Sequence, residues 1–141
     1  MVSEAAQAGY NAVQVNATNA SDLKKLQGAS TAISTGLFHF LPDPAAGMVL
    51  NALADAGFQT VVFNHGNLGG GEAGASVREQ YSKLGITMHP RSIEQMTAII
   101  PPQWRVEEAL PQSEVLRNDP LIGPHVDQAE NLTDVYWIVR V

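Results

Sequence analysis

The stretch Phe58-Gln59-Thr60-Val61-Val62-Phe63 constrains the fold more than any other part of this chain. Its β-branched and aromatic side chains suit a strand, and the near-continuous apolar run suits one buried on both faces. A helix precedes it. Met48, Val49, Ala52, Leu53 and Ala56 fall at spacings of three and four within residues 45–56, and Gly57 stands where a C-terminal stop belongs. Ahead of that helix, Ala32-Ile33-Ser34 reads as another buried strand. It runs into an apolar loop that Pro42-Asp43-Pro44 closes. Strand, helix and strand in succession predict parallel strands with a helical crossover.

The flanking segments extend this pattern. Residues 3–9 read as the last turns of a helix stopped at Gly9, and Ala12-Val13-Gln14-Val15 as a short strand. Asp22 to Leu26 is a brief helical piece closed by Gly28. Residues 64–74 are a glycine-rich loop and residues 75–84 a helix. A further helix spans 92–100, with Ser92 as N-cap and Gln95 at the capping-box position. Residues 104–110 and 135–141 read as two strands joined by a long loop without a helical crossover, for which an antiparallel pair is the economical connection.

Composition narrows the function classes. The 141 residues fit one domain, and 45% apolar content supports a core. The formal charge of −6 opposes a role in coating nucleic acid, which needs clustered Lys and Arg. The absence of cysteine removes disulfides, thiolate zinc sites and a cysteine nucleophile. No apolar run approaches the roughly 18–20 residues of a membrane span. No basic segment followed by an apolar stretch opens the chain. The expectation is a cytoplasmic domain without membrane or nucleic-acid partners.

Two segments carry a family resemblance. The first is Asn19-Ala20-Ser21-Asp22-Leu23. The second is Ser34-Thr35-Gly36-Leu37-Phe38-His39-Phe40-Leu41-Pro42-Asp43, followed by the helix to Gly57 and the strand to Phe63. In order and spacing these resemble the second half of class I S-adenosylmethionine-dependent methyltransferases. There an Asp-Ala-x-x-Leu turn meets adenine, and a loop of the form Ser-x-x-x-x-His-x-Leu-Pro-Asp lies near the methionine part of the cofactor. The resemblance implies an α/β fold: an incomplete Rossmann-like sheet, mostly parallel, with an antiparallel C-terminal strand pair and helices on both faces. Residues 1–141 would form one truncated domain of this kind. The family's glycine-rich turn and ribose-binding acid would fall before Met1, and the adenine-contacting acid is replaced by Asn19. The family's missing strands would also bare a sheet edge; the expectation is that residues 12–15 pair directly with residues 32–34, with a homodimer across the bared edge as the second choice and a separate chain supplying the missing half as a third.

The resemblance assigns Asn19 and Asp22 to adenine, and Ser34, Gly36 and Phe38 to the amino-acid end of S-adenosylmethionine. His39 and His65 would serve as catalytic residues, and Asn64 would face a small-molecule methyl acceptor. His39 also has a plainer reading, a packed ring bonding a neighbouring carbonyl, and residues 64–65 have the plainer reading of a polar loop. Four histidines without helical pairing or an acid cluster do not make a metal site. Gly69-Gly70-Gly71-Glu72-Ala73-Gly74 matches Gly-x-Gly-x-x-Gly. It stands too far from the strand end for a dinucleotide turn, so a plain loop is expected. The function implied is methyl transfer, impaired in this chain alone. The alternative is a non-catalytic module of degenerate methyltransferase fold, used for oligomerisation or small-ligand binding.

Overall fold

The computed structural model describes residues 2–9, 11–26, 28–67, 71–128 and 134–141. Helix α1 (Val2–Gln7) and the short α2 (Ala20–Leu23) precede strand β1 (Thr31–Ser34). A single 3-10 turn, Leu37–His39, leads into α3 (Asp43–Asp55) and β2 (Thr60–Gly66). Then come α4 (Gly71–Lys83), α5 (Ile93–Ile99), β3 (Arg105–Pro111), α6 (Gln112–Leu116), a second 3-10 segment (Gly123–Gln128) and β4 (Asp134–Arg140). No helix among the described residues is long and apolar enough to cross a membrane.

The four strands form one sheet in the order β1-β2-β4-β3. Strand β1 runs parallel to β2, with Ala32 beside Val61 and Ser34 beside Phe63. Strand β4 lies antiparallel to both β2 and β3. This corrects the expected mostly parallel sheet: β1–β2 is the one parallel pairing. The physical reason is the position of β4. Strands β1, β2 and β3 do run the same way, as alternating strands and helices require. The last strand slots between β2 and β3 and turns what would be a parallel contact into two antiparallel ones. The expected antiparallel pairing of the last two strands is present, with a register shift between Val106 and Glu108.

The expected strand at residues 12–15 is also absent. Residues 11–16 have no regular structure. A strand needs a ladder to be stable, and among the described residues β1 pairs only with β2. Val15 instead packs against the core while Val13 stays exposed.

Alternation along β4 shows which face is dry. Val135, Trp137 and Val139 are fully buried, and the residues between them are half-buried. Their partners across the ladder, His65, Phe63 and Val61, share that face. One core joins these side chains to Val49, Leu50 and Leu53 of α3 and Met96 of α5. The ring of Phe63 lies 4.4 Å from that of Phe38 and stacks on Trp137 at 5.9 Å. Trp104 reaches into the same core and donates its indole N–H to the Leu50 carbonyl at 2.9 Å. The capping box at α5 forms as its spacing implies: Ser92 accepts from the Gln95 N–H, and the Gln95 side chain accepts from the Ser92 N–H.

Candidate functional site

The carboxyl ends of β1 and β2 meet the amino end of β4 at one polar cluster. Ligands bind at this edge in open α/β sheets. Strand β2 extends beyond Phe63 through Asn64, His65 and Gly66, because β4 supplies partners for all three. The pleat sends Asn64 to one face and His65 to the other. Across the ladder, Gly66 stands opposite Asp134.

Four side-chain hydrogen bonds close a ring. The Gly36 N–H donates to Asn64 Oδ1 at 2.8 Å. Asn64 Nδ2 donates to Asp134 Oδ2 at 2.6 Å. Asp134 Oδ1 lies 3.1 Å from His39 Nε2. His39 Nδ1 lies 3.1 Å from the Gly36 carbonyl oxygen. Local geometry makes this reachable. Gly36 takes φ +78°, a left-handed conformation that suits glycine, and turns the chain from β1 into the 3-10 turn carrying His39. A Cβ at Gly66 would come within 3.2 Å of His39 Cδ2, so glycine there lets the ring lie close against β2. The side chains of His39 and Asp134 keep 12% and 21% of their surface, so solvent reaches the pair. Burial works against the Asp134 carboxylate. The His39 hydrogen bond and charge, with help from the Asn64 amide, outweigh it and hold the carboxyl below its ordinary range.

His65 lies beneath this cluster and does different work. It is fully buried. Trp137 Nε1 donates to its Nδ1 at 2.8 Å, so that nitrogen carries no proton. Its Nε2, 3.0 Å from the Arg91 carbonyl, must then be the donor. Both nitrogens are thus engaged in one neutral tautomer. Burial lowers the affinity of this ring for a second proton, and the neighbouring charges of Arg91 and His39 add to the effect.

Arg91 is the cationic support of the loop. It is 3% exposed. Its Nη1 donates to the Phe38 carbonyl at 2.9 Å, Nη2 to the Leu41 carbonyl, and Nε to Asp43 Oδ1 at 2.9 Å. One planar guanidinium therefore pins the connection from β1 to α3 at three points. The Arg91 N–H also donates to the Gly66 carbonyl, and the His89 N–H to the His39 carbonyl.

The residues expected at the site divide by location. Gly36, His39 and Asn64 come together in the cluster. Ser34 is half-buried at the end of β1. Phe38 is fully buried against Phe63, so its ring faces the core and not a ligand. Asn19 is the N-cap of α2, accepting from the Ser21 and Asp22 N–H groups. The Asp22 carboxylate accepts from the Asn16 N–H and pairs with Lys25, whose hydrogen bond lowers its proton affinity. The glycines at 69 and 70 lie outside the described residues, and Gly71 begins α4 instead of lying in a loop.

Asp134 and Arg91 escape sequence reasoning. Asp134 is 95 residues from His39 and 70 from Asn64. Arg91 is about 50 residues from each of its three acceptors. An acid opening the last strand and a base before an N-cap serine are unremarkable locally. Only the insertion of β4 beside β2 brings Asp134 to the site.

A parallel pair continued by an antiparallel strand set between β2 and β3, with polar groups gathered at the carboxyl edge, is a mixed α/β fold. Solved structures of the methyltransferase fold share it. A DUF574 family protein from Streptomyces avermitilis superposes with a TM-score of 0.66 at 12% identity, over 91% of this chain and 53% of that one. An S-adenosylmethionine-dependent methyltransferase from Mesorhizobium loti gives 0.54 at 13% identity, over 79% and 61%. Another from Anabaena variabilis gives 0.54 at 12% identity, over 89% and 56%. The chain thus shares the fold of these proteins and spans a little over half their length. No family model matches the sequence. No curated protein is similar to it at a significant level.

Proposed function

We propose that this chain is a methyltransferase-like domain that binds S-adenosylmethionine at the carboxyl edge of β1 and β2 and takes part in methyl transfer to a small molecule. The observation that carries the reading is the strand order β1-β2-β4-β3, with the left-handed turn at Gly36 opening the edge beside it. A Cβ built on Gly36 would meet nothing within 4 Å, so the backbone there is open to a ligand. The fit is therefore good at Gly36, which with Ser34 lines the amino-acid end in this reading; Asn64 is buried with both amide atoms engaged by Gly36 and Asp134, so it would shape the acceptor side through that turn. The fit is poor at Phe38, whose ring is in the core. Asn19 and Asp22 would reach a bound adenine only by giving up the α2 cap and the Lys25 pair.

The cofactor supplies an electrophilic methyl group on a sulfonium when bound. The chain's own contribution is to hold and orient. Arg91 fixes the loop over the strand ends, Asn64 and Asp134 fix Gly36 and His39, and the buried His65 supports β2 from below. Transfer of this kind depends chiefly on alignment of the reacting atoms. Calorimetry on the purified chain tests the reading: micromolar binding of S-adenosylmethionine and S-adenosylhomocysteine is expected. No heat with either at millimolar concentration overturns it.

A further inference from the structure

The 3-10 turn at Leu37–His39 sends its side chains three ways. Phe38 enters the core, and His39 meets Asp134. Leu37 and Phe40 share the remaining side, because residues three apart eclipse in a 3-10 turn. They keep 36% and 38% of their surface exposed. Tyr81 of α4 comes against this ledge. Its ring lies 5.4 Å from that of Phe40, which lies 6.0 Å from that of His39. An aromatic ledge therefore borders the polar cluster at the carboxyl edge.

A cation stands beside the ledge. Arg78 precedes Tyr81 by three residues in α4, so the two are neighbours on one face of the helix. Arg78 is half-buried. Arg91, Arg105, Arg117 and Arg140 each hold an ion pair. Arg78 holds none with any described residue, and the adjacent Glu79 is taken by Lys83. A half-buried guanidinium has lost part of its hydration. A carboxylate, with two oxygens in one plane, restores those bonds in the geometry that arginine presents.

We propose that Leu37, Phe40, Tyr81 and Arg78 form a subsite for a planar aromatic carboxylic acid, its ring on the aromatic ledge and its carboxylate on Arg78. The assignment deepens the proposed function and rests on it for the acid's role as methyl acceptor; binding of the acid does not need the cofactor. The surrounding groups fix the orientation. The Asp134 carboxylate repels the acid's charge from the strand ends. Both amide atoms of Asn64 and all three nitrogens of Arg91 are already engaged. The charged end therefore turns to α4, and the opposite end of the ring faces His39 and the turn at Gly36. Offset or edge-to-face contact with Phe40 and Tyr81 favours an aromatic ring over an aliphatic one of similar size.

Calorimetric titration of the whole chain, without cofactor, tests the subsite with three probes. Naphthoate carries both ring and charge, naphthol lacks the carboxylate, and cyclohexane carboxylate lacks the aromatic ring. Naphthoate should bind about tenfold or more tightly than either of the others. Arg78→Gln should weaken naphthoate by about tenfold or more while leaving naphthol unchanged, which also shows that the variant is folded. Arg78→Lys should recover part of the loss. Tyr81→Leu should weaken naphthoate and naphthol alike. Equal affinity for acid and alcohol, or naphthoate binding that survives Arg78→Gln, overturns the proposal. So does an Arg78→Gln variant that loses S-adenosylmethionine but keeps naphthoate, since the guanidinium would then belong to the cofactor's own carboxylate. A chain that binds naphthoate as described but no S-adenosylmethionine would retain the subsite and overturn the proposed function alone.

Discussion

His65 combines full burial with a tautomer fixed from both sides, by the Trp137 indole on Nδ1 and the Arg91 carbonyl on Nε2. Accepting a second proton would break the indole bond inside the core. Its proton affinity in the fold is accordingly lowered from the ordinary 6.5. Below that value the unfolded chain takes up a proton that the folded chain refuses, so stability is complete above about 6.5 and falls as pH drops beneath it. Asp134 acts with the same sign in a lower window. Its folded affinity lies below the ordinary 3.8, so its contribution is lost as pH falls beneath that value. His65→Gln can present an N–H to Arg91 and an oxygen to Trp137 without titrating. Thermal melts between pH 7 and 5 should show a smaller decline for this variant than for the parent chain. Equal declines would mean that His65 does not govern acid lability. At this scale the sequence was legible for Gly36, His39 and Asn64, which the loop motif and the strand end point to. It was not for Asp134 and Arg91, whose partners are far away along the chain.

Among the elements, those with local signals formed as expected. The α5 capping box follows from Ser92 and Gln95 alone, and α3 from its apolar spacing and the prolines at its start, Pro42 at the N-cap and Pro44 in the first turn. Elements decided by neighbours did not. Residues 12–15 have strand-like composition but no ladder beside them, and β2 outruns its apolar stretch because β4 pairs with its polar end. The β1–α3 connection is likewise held from a distance, by Arg91. Hydrogen bonds to a charged group contribute about 1.5–3 kcal/mol each, and a buried carbonyl left without a donor adds its own penalty. Arg91→Ala should therefore lower stability by about 2–4 kcal/mol in urea unfolding, given partial relaxation of the loop. Asp43→Asn should cost less than about 1 kcal/mol, because its carboxylate is 68% exposed and exposed pairs are weak. Equal losses would place the support in the ion pair instead of the carbonyl bonds.

For the whole molecule, alternating strands and helices correctly announced an α/β sheet, and the joined last strands announced their antiparallel pairing. The order of strands was not legible, since nothing local says that β4 enters between β2 and β3. The outer strand β1 carries no charged residue, and Ile33 is 75% exposed. Natural edges commonly carry lysine or proline to deter pairing. We therefore expect copies of this chain to associate through β1, and Ile33→Lys to shift the population to monomer in light scattering. A parent chain that is monomeric at high concentration would end that expectation.

The placement of β4 has a consequence for how the chain is made. The strand that joins β2 to β3 leaves the ribosome after both of them, so a nascent chain holds the β1–β2 pair and a β3 without its sheet partner, both awaiting a common seam. Such long-range closure is slow and leaves adhesive surface open meanwhile. Biosynthesis of this fold thus carries a vulnerable interval, in which a chaperone that shields β2 and β3 would have its greatest effect on yield.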